Sequence, residues 1–401
     1  MPRPADASPN RWLMLVLGLA AQAAASSYLY GLPMLLPQLR HESDLSLAGA
    51  GWLVAAPSVG LLLTLIAWGV LVDRRGERGV MVGGLALAGG FLLAAACTHS
   101  YAARLVFLVL AGGGGGSVNS AGGRLVMGWF APHERGRAMG WRQTAQPVGV
   151  AIAAATFPPI ANTWGVGWAV ALPALLCLVV AGLVQVYVVD PPRPPASVRD
   201  AVVASPYRGS TLWRLHLASA MLVVPQFAVS AFALEYLVSA RHWATAPAGR
   251  LLFGFQIAGA AGRVASGIWS DRVGSRLGPM RIVAAAAAVT MLAAGLGAAR
   301  GWALAVVAIG VGVVVTVADN GLGFTATAEL AGTSWAGRAM GVQNTGQNLV
   351  AALTPPLLGA FIAAHGFGPG FAIVALFPVV ALVATPVAAE TTRRTLATMQ
   401  G

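Results

Sequence analysis

Long apolar runs recur along this chain and set the strongest limit on what it can fold into. Each run has roughly 20 residues or more, enough to cross the hydrocarbon core of a bilayer as a helix. The runs lack the apolar–polar alternation of barrel strands, so the sequence predicts an all-α membrane protein with twelve transmembrane helices. The twelve runs lie at 12–37, 46–71, 79–97, 104–130, 138–162, 167–189, 211–239, 248–270, 279–299, 302–330, 338–364 and 367–389.

Charged residues are scarce, and Arg supplies all of the strongly basic ones. They make up 9% of the chain, against about 25% in a soluble domain, so lipid must be the main solvent. We assign the connections between runs alternately to the inside and the outside, starting with the N-terminal tail inside. Seventeen of the 25 Arg then fall in the inside connections and the tails, five fall in the outside connections, and three lie within apolar runs. This positive-inside pattern predicts a multi-pass protein of the cytoplasmic (inner) membrane with both termini in the cytoplasm. It explains the net charge of +12 without a nucleic-acid partner.

The residues give no sign of an enzyme centre or a cofactor site. The six His show no metal-ligand spacing, and Cys97 and Cys177 lie in apolar runs, as core thiols do. The Gly-rich run at 111–123 lacks the Lys-Ser/Thr of a phosphate-binding loop and favours close helix packing instead. We therefore expect no enzyme activity, metal or cofactor. The expected partners are a small-molecule substrate and the lipid bilayer, with the chain acting as a monomer.

One long polar connection divides the chain into near-equal halves. The segment 190–210 is rich in Pro and Arg, which is typical of a cytoplasmic linker. We therefore predict an N-terminal six-helix bundle at 1–189 and a C-terminal six-helix bundle at 211–401.

The two halves repeat each other in their short connections. GVLVDRRGER at 69–78 matches GIWSDRVGSR at 267–276, and GRAMG at 136–140 recurs at 337–341. Repeats at corresponding loops of two six-span halves indicate a duplicated transporter with its site at the interface between the halves.

These motifs resemble the major facilitator superfamily. Its loop between spans two and three carries Gly-x-Leu-x-Asp-Arg-x-Gly-Arg-Arg/Lys, and here Glu77 replaces one basic residue. The resemblance implies two six-helix bundles that expose a solute to each side in turn, with Asp-Arg pairs latching the cytoplasmic side. The alternative is charge that only keeps the loops inside. The latch candidates are Asp73, Arg74, Arg78, Asp271, Arg272, Arg276, Glu329 and Arg338, with Arg263 in span eight as a further member.

Two Arg lie inside the spans of the first half. Arg124 in span four and Arg142 in span five are on consecutive antiparallel helices, so they could meet. A buried Arg costs several kcal/mol unless it is paired or hydrated. An anionic substrate is one candidate partner, and a latch acid such as Asp73 or Glu329 is the other.

An acid near the midplane of span ten is the strongest candidate for proton coupling. Asp319 lies ten residues from Glu329, about 15 Å along a helix. An intramembrane acid is a proton-site or substrate-site hypothesis by default, and the alternative is a structural hydrogen-bond partner. Glu235 in span seven ranks second, because it lies nearer the outer end and could pair with Arg241.

Polar residues at helical spacing on several spans indicate a hydrated central cavity. In the superfamily, spans one, four, seven and ten line such a cavity. The substrate-binding candidates are Gln22, Ser26, Tyr30, Ser120, Arg124, Arg142, Gln146, Gln226, Asn320 and Gln347. The alternative for each row is a set of hydrogen bonds between helices.

The sequence thus favours proton-coupled transport of a small organic anion by alternating access. Efflux of a drug or metabolite by proton antiport, or uniport, is the alternative. A transporter-like sensor would need an added cytoplasmic domain, and a membrane enzyme would need a clustered His, Cys or Ser/His site.

Overall fold

A computed structural model describes residues 10–35, 38–39, 45, 47–192, 205–243, 245–332 and 334–390. These residues form helices and short connections, with no strand among them, and the predicted all-α fold class is confirmed. The α-helices are α1 (Arg11–Leu29), α2 (Leu47–Arg75), α3 (Glu77–Cys97), α4 (Tyr101–Trp129), α5 (Arg135–Arg142), α6 (Ala145–Trp164), α7 (Val166–Tyr187), α8 (Thr211–Glu235), α9 (Thr245–Val273), α10 (Leu277–Arg300), α11 (Leu304–Val315), α12 (Asn320–Ala331), α13 (Ala336–His365), α14 (Phe367–Val374) and α15 (Leu376–Ala384).

Eleven helical segments of the described chain are long and apolar enough to cross a membrane. They occupy the positions of every predicted run except the fifth. There the structure has α5 and α6, which are separated at Gln143 and Thr144. The polar start of this run and its Pro158–Pro159 pair lower its hydropathy, although the helix itself forms.

Span ten is interrupted near its middle. Helix α11 ends at Val315, a turn covers 316–319, and α12 begins at Asn320. The side chain of Ser266 donates to the carbonyl of Ala318 at 2.7 Å, which satisfies a backbone group that the interruption frees. Membrane proteins tolerate interrupted helices where neighbouring side chains supply such bonds. The same turn carries Asp319, so the interruption determines where the only carboxylate predicted near the midplane lies.

The chain divides into two compact units that do not follow the sequence halves completely. The first comprises Met1–Ala131, Thr144–Val202 and Ser334–Gly341, and the second comprises Pro132–Gln143, Val203–Thr333 and Val342–Gly401. Each GRAMG repeat therefore groups with the helices of the other half. Of the predicted linker at 190–210, residues 193–204 lie outside the described part of the chain.

Close helix packing holds the first unit together. A Cβ placed on Gly60 would lie 1.8 Å from the carbonyl oxygen of Val109, and one on Gly112 would lie 1.9 Å from that of Pro57. Only glycine allows backbones to approach this closely. The apolar core of this unit includes Tyr28 and Phe157.

The second unit has its own apolar core, which is built around aromatic rings. The ring of Tyr236 packs edge-to-face on Phe367 and Phe371, with centroids 5.4 and 5.8 Å apart. Tyr236 begins a five-residue π-helical turn, Tyr236–Ala240, that closes span seven after α8.

Candidate functional site

In the first unit, the carboxylate of Asp73 binds the start of helix α13. Its Oδ1 accepts from the backbone N–H of Gly337 at 3.1 Å, and its Oδ2 accepts from that of Arg338 at 3.2 Å. The first N–H groups of a helix have no partner within the helix and carry partial positive charge, so a carboxylate there is stabilised. Arg338 adds an ion pair, with its Nε 3.2 Å from Asp73 Oδ2.

The backbones approach closely beside this carboxylate. A Cβ on Gly69 would lie 2.6 Å from the carbonyl oxygen of Gly337, and a Cβ on Gly337 would lie 2.6 Å from Asp73 Oδ1. Glycine at both positions therefore lets the last turns of α2 reach the start of α13.

The second unit contains the same arrangement, built from the other copies of both repeats. Asp271 Oδ1 accepts from the N–H of Gly136 at 2.8 Å, and its Oδ2 accepts from that of Arg137 at 2.7 Å, at the start of α5. A Cβ on Gly267 would lie 2.1 Å from the carbonyl oxygen of Gly136. The two sequence repeats are thus two sides of one contact, in which the Gly-x3-Asp motif of each half binds the GRAMG segment of the other.

We call the contact of Asp73 with Gly337 and Arg338 the first latch, and the contact of Asp271 with Gly136 and Arg137 the second latch. Their ion pairs come from different places in the sequence. In the first latch, Arg124 forms an ion pair with Asp73 and lies 2.7 Å from Glu77.

In the second latch, Arg276 Nη1 lies 2.6 Å from Asp271 Oδ1, and its Nε lies 3.6 Å from Glu329 Oε2. Arg135 Nη1 also reaches Glu329, at 3.7 Å. Besides Arg338, the cation that pairs with the Asp therefore comes from span four in the first latch, whereas in the second it comes from the Gly-x3-Asp motif itself.

Three Arg that we predicted to act in the latches lie elsewhere. Arg74 and Arg272 are exposed, because each follows its Asp by one residue and so points about 100° away around the helix. Arg78 donates its side chain to the carbonyl of Gln185 and its backbone N–H to Asp190 Oδ1, the latter at 2.7 Å. The predicted pairing of Arg74 or Arg78 with Asp73 is replaced by Arg124 and Arg338.

Sequence reasoning missed one pair of carboxylates. Asp190 accepts from the N–H of Arg78 at the start of α3, and Glu390 accepts from those of Arg276 and Leu277 at the start of α10, at 2.7 and 3.2 Å. The signal was present, since an acid follows span six and span twelve at positions 200 apart. Each acid caps the helix that follows its own half's Gly-x3-Asp motif.

Arg124 and Arg142, which we expected could meet, belong to different compact units. Arg124 is bound to Asp73 and Glu77 in the first unit, which is the latch-acid alternative. Arg142 ends α5 in the second unit, where it is 4% exposed.

Charged groups also meet around the interruption of span ten. Asp319 is 1% exposed, and its Oδ1 has no hydrogen-bond partner among the described residues. Arg263 interacts electrostatically with Asp319 and donates to the carbonyl of Gln143 at 2.6 Å, next to Arg142. Arg263 therefore belongs to this polar region rather than to the inner latch in which we had placed it.

The second proton candidate, Glu235, is exposed. Its expected partner Arg241 instead donates to the carbonyl of Gly301. Among the described residues, the expected ion pair between Glu235 and Arg241 is therefore replaced by this bond.

Several of the predicted substrate-binding residues bind other parts of the protein. In the first unit, Gln22 Nε2 donates to Asn119 Oδ1 at 3.3 Å and Ser120 Oγ donates to the carbonyl of Leu65 at 3.0 Å. In the second, Asn320 Nδ2 donates to Gln226 Oε1 at 3.2 Å.

The remaining substrate-binding candidates differ in their exposure. Gln347 Nε2 donates to the carbonyl of Ser219 at 3.4 Å. Ser26 is fully buried, whereas Tyr30 and Gln146 are half-buried. The hydrogen bonds that these candidate residues form in both units thus link one helix to another, which is the alternative to substrate binding that the sequence left open.

A further buried chain of polar side chains was not predicted. Tyr207 Oη lies 2.9 Å from His216 Nε2, and His216 Nδ1 lies 2.9 Å from Gln343 Oε1. Thr327 Oγ1 donates to the same Gln343 oxygen at 2.6 Å. Burial raises the pKa of Tyr207 to about 12, so its phenol stays protonated and can donate to His216.

Within the described residues, no group of three or more His, Cys, Asp or Glu side chains is placed to hold a metal ion. What the geometry presents instead is a duplicated bundle of helices long and apolar enough to cross a membrane, two matched latches and a buried acid. These features define a membrane transporter.

The model of the Major Facilitator Superfamily matches residues 14–355, and the chain belongs to this family of transporters, which are not enzymes. An uncharacterised MFS-type transporter of Mycobacterium tuberculosis strain H37Rv is 44% identical over 382 residues, covering 94% of this chain and 85% of that protein. Strain CDC 1551 of the same species has a protein of the same description with the same identity and coverage.

Solved transporters share the fold at low sequence identity. The E. coli fucose:proton symporter FucP is 18% identical with a TM-score of 0.71, covering 93% of this chain and 97% of that one. The human organic anion transporter MFSD10 is 17% identical with a TM-score of 0.72, covering 94% of this chain and 100% of that one.

Proposed function

We propose that this protein transports a small organic anion together with a proton, by alternating access. The observation that carries the proposal is the charge balance around the interruption of span ten. Arg142 and Arg263 are both buried in the second unit, and Arg263 interacts electrostatically with the buried carboxylate of Asp319. Glu329, the next acid along the same span, is bound to Arg135 and Arg276 instead.

This balance links proton binding to anion binding. With Asp319 ionised, the three groups carry a net charge of +1, and with Asp319 protonated they carry +2. Charges interact strongly in a poorly hydrated interior, so an anion near the two Arg gains more when Asp319 is neutral. By linkage, the anion then favours protonation of Asp319 to the same degree, which is the condition for symport.

Arginine suits this role by its shape as well as its charge. The planar guanidinium can donate two parallel hydrogen bonds to a carboxylate, which fixes the orientation of the solute. Arg124 has no part in this site, because its ion pairs with Asp73 and Glu77 occupy it in the first latch.

The shared fold with named transporters supports the proposal in outline only. FucP is a proton symporter and MFSD10 an organic anion transporter by their descriptions, so this fold serves both chemistries. The Arg distribution supports a cytoplasmic membrane protein with both termini inside. The two latches then lie on the cytoplasmic side, where their opening would release solute inward. We propose a monomer as the working unit.

Uptake into proteoliposomes tests the proposal. The panel is lactate, benzoate, succinate and glucuronate, with the lipophilic cations tetraphenylphosphonium and ethidium for comparison, each with and without an acidic exterior. We expect one or more anions to accumulate only under the pH gradient. Asp319→Asn should abolish accumulation and spare exchange of internal for external anion, and Gln226→Glu serves as a control that adds a carboxylate nearby. Accumulation by Asp319→Asn equal to the parent's, or export of the cations alone, would overturn the proposal in favour of another proton group or of drug efflux.

A further inference from the structure

Three buried polar atoms, on α8, on α13 and just before α12, have no hydrogen-bond partner among the described residues. They are Asp319 Oδ1, Ser219 Oγ and Gln343 Nε2, on side chains that are at most 1% exposed. Native proteins rarely leave such atoms unsatisfied, because each costs about 1–3 kcal/mol. Two of these atoms meet at Gly323 and the third belongs to the residue one helical turn before it, which indicates that something polar binds there.

Gly323 provides the space where two of these atoms meet. A Cβ on Gly323 would lie 2.9 Å from Ser219 Oγ and 3.2 Å from Gln343 Nε2. Gly323 is also one helical turn from Asp319, to whose carbonyl its N–H donates at 2.9 Å. Side chains four residues apart on a helix have Cβ atoms about 5–6 Å apart, so Asp319 lies on the same helix face as Gly323.

The buried chain beyond this space fixes the direction of the Gln343 amide. Its Oε1 receives the hydroxyl of Thr327, and His216 Nδ1 lies 2.9 Å from the same oxygen. Because the Gln343 oxygen can only accept, His216 donates to it from Nδ1, and the Nε2 of a neutral imidazole then accepts from Tyr207. With Oε1 held by two donors, the amide N–H groups of Gln343 must point toward Gly323.

We propose that Gly323, Ser219 and Gln343 form a binding site for one ordered water that bridges to Asp319. The water accepts from Gln343 Nε2 and Ser219 Oγ and donates to Asp319 Oδ1, which gives it the roughly three hydrogen bonds of a typical buried water. The bridge stabilises the ionised carboxylate, since a donor favours the charged form. Tyr207 and His216 are positioning residues, which act through Gln343.

Among the charged groups on the helices packed against α12, Arg263 on α9 interacts electrostatically with Asp319. Arg142 on α5 and His216 on α8 are buried on two of these helices. Helices α10 and α13 contribute Met280 and Gln343 at Gly323. The side chains at Gly323 are therefore uncharged, and the cation that acts on Asp319 is Arg263.

Infrared difference spectroscopy on purified, solute-free protein tests this site, which rests on the proposed proton role of Asp319. Two bands are measured: the carbonyl band of protonated Asp319, assigned by its loss in Asp319→Asn, and the band of a bound water, assigned by its shift in heavy-oxygen water. In Gly323→Ala, we expect the water band to vanish and the pH midpoint of the Asp319 band to rise by about one unit. This variant should fold, because the atoms nearest the new methyl are the ends of movable side chains.

A glycine on the same helix gives the matched control. A Cβ on Gly321 would lie 3.4 Å from the nearest atom, the backbone nitrogen of Gly140, which is an ordinary contact. Gly321→Ala should keep both bands. His216→Phe should shift the midpoint as Gly323→Ala does. His216→Asn, which can still donate to Gln343, should restore it.

The outcomes separate the two proposals. An isotope-sensitive water band that survives in Gly323→Ala, or an Asp319 midpoint that is equal in Gly323→Ala and Gly321→Ala, overturns the water site and leaves the proton role standing. A water band lost in Gly323→Ala, together with an Asp319 that never titrates, supports the water site and overturns the proton role.

Discussion

The two latches have the same backbone geometry and different ion pairs. In each, an Asp in the last turn of one helix accepts from two consecutive N–H groups at the start of another, beside a pair of glycines. The first latch is completed by Arg124 from span four, which also binds the buried Glu77. The second is completed by Arg276, which shares the more exposed Glu329 with Arg135.

The difference shows which parts of a duplicated contact are free to change. Backbone N–H groups and glycines must occupy fixed places for the helices to approach, so both copies keep them. A guanidinium can reach the same carboxylate from several helices, because its side chain is long and donates in several directions. The first latch holds the more deeply buried charges and should therefore be more sensitive to substitution.

The largest effect is expected for Arg124→Gln. It leaves Asp73 and Glu77, whose side chains are 3% and 0% exposed, without this cation. Removing one member of a buried ion pair costs about 3–5 kcal/mol. We expect a clear fall in thermal unfolding temperature, and partial recovery in the double variant Arg124→Gln/Glu77→Gln. A loss no greater than that of Arg276→Gln would contradict the ranking of the two latches.

The next effect concerns the two carboxylates. Asp73→Asn and Asp271→Asn should each fold and slow anion uptake, because a neutral amide accepts less strongly from the helix start. We expect about a tenfold loss for Asp73→Asn and a smaller one for Asp271→Asn, since Asp73 is the more deeply buried carboxylate and pairs with both Arg124 and Arg338. Normal uptake in both single variants and in their double would reduce the motif to a topology signal.

The glycine contacts give a third, intermediate effect. Gly267→Ala places a methyl 2.1 Å from a carbonyl oxygen, and Gly69→Ala places one 2.6 Å away. Overpacking of this kind costs about 1–3 kcal/mol. Thermal unfolding should show the larger loss for Gly267→Ala. Gly83→Ala, whose new methyl meets nothing within 4 Å, is the control and should match the parent.

The smallest effect is expected for the exposed Arg of the motif. Arg74→Ala and Arg272→Ala should change stability by less than about 0.5 kcal/mol and leave uptake unchanged. A loss comparable with that of Asp73→Asn in either variant would show that these guanidinium groups act in the latches after all.

Much of the fold followed from the sequence, for physical reasons. The length of the apolar runs is set by the thickness of the bilayer, so eleven of the twelve predicted spans coincide with helices that can cross it. The repeats predicted two related halves. They did not predict that GRAMG of one half would bind the Asp of the other, because that pairing depends on helix positions which spacing along the chain does not encode.

The site was less predictable than the fold. A span Arg signals a need for compensation, but the sequence does not say whether the partner is a solute or a latch acid, and for Arg124 it is Asp73. The interruption at 316–319 lies in a stretch rich in Val and Ala with no Pro to mark it. Its position depends on Ser266 from another helix.

Hydrogen–deuterium exchange of the two GRAMG segments tests the crosswise latches most directly. In the parent, the amides of Gly337 and Arg338 and those of Gly136 and Arg137 should exchange slowly, because each donates to a carboxylate. Asp73→Asn should speed exchange at 337–338 and leave 136–137 slow, and Asp271→Asn should do the reverse. Fast exchange at both segments in the parent, or loss of protection at 136–137 on replacing Asp73 alone, would contradict the account.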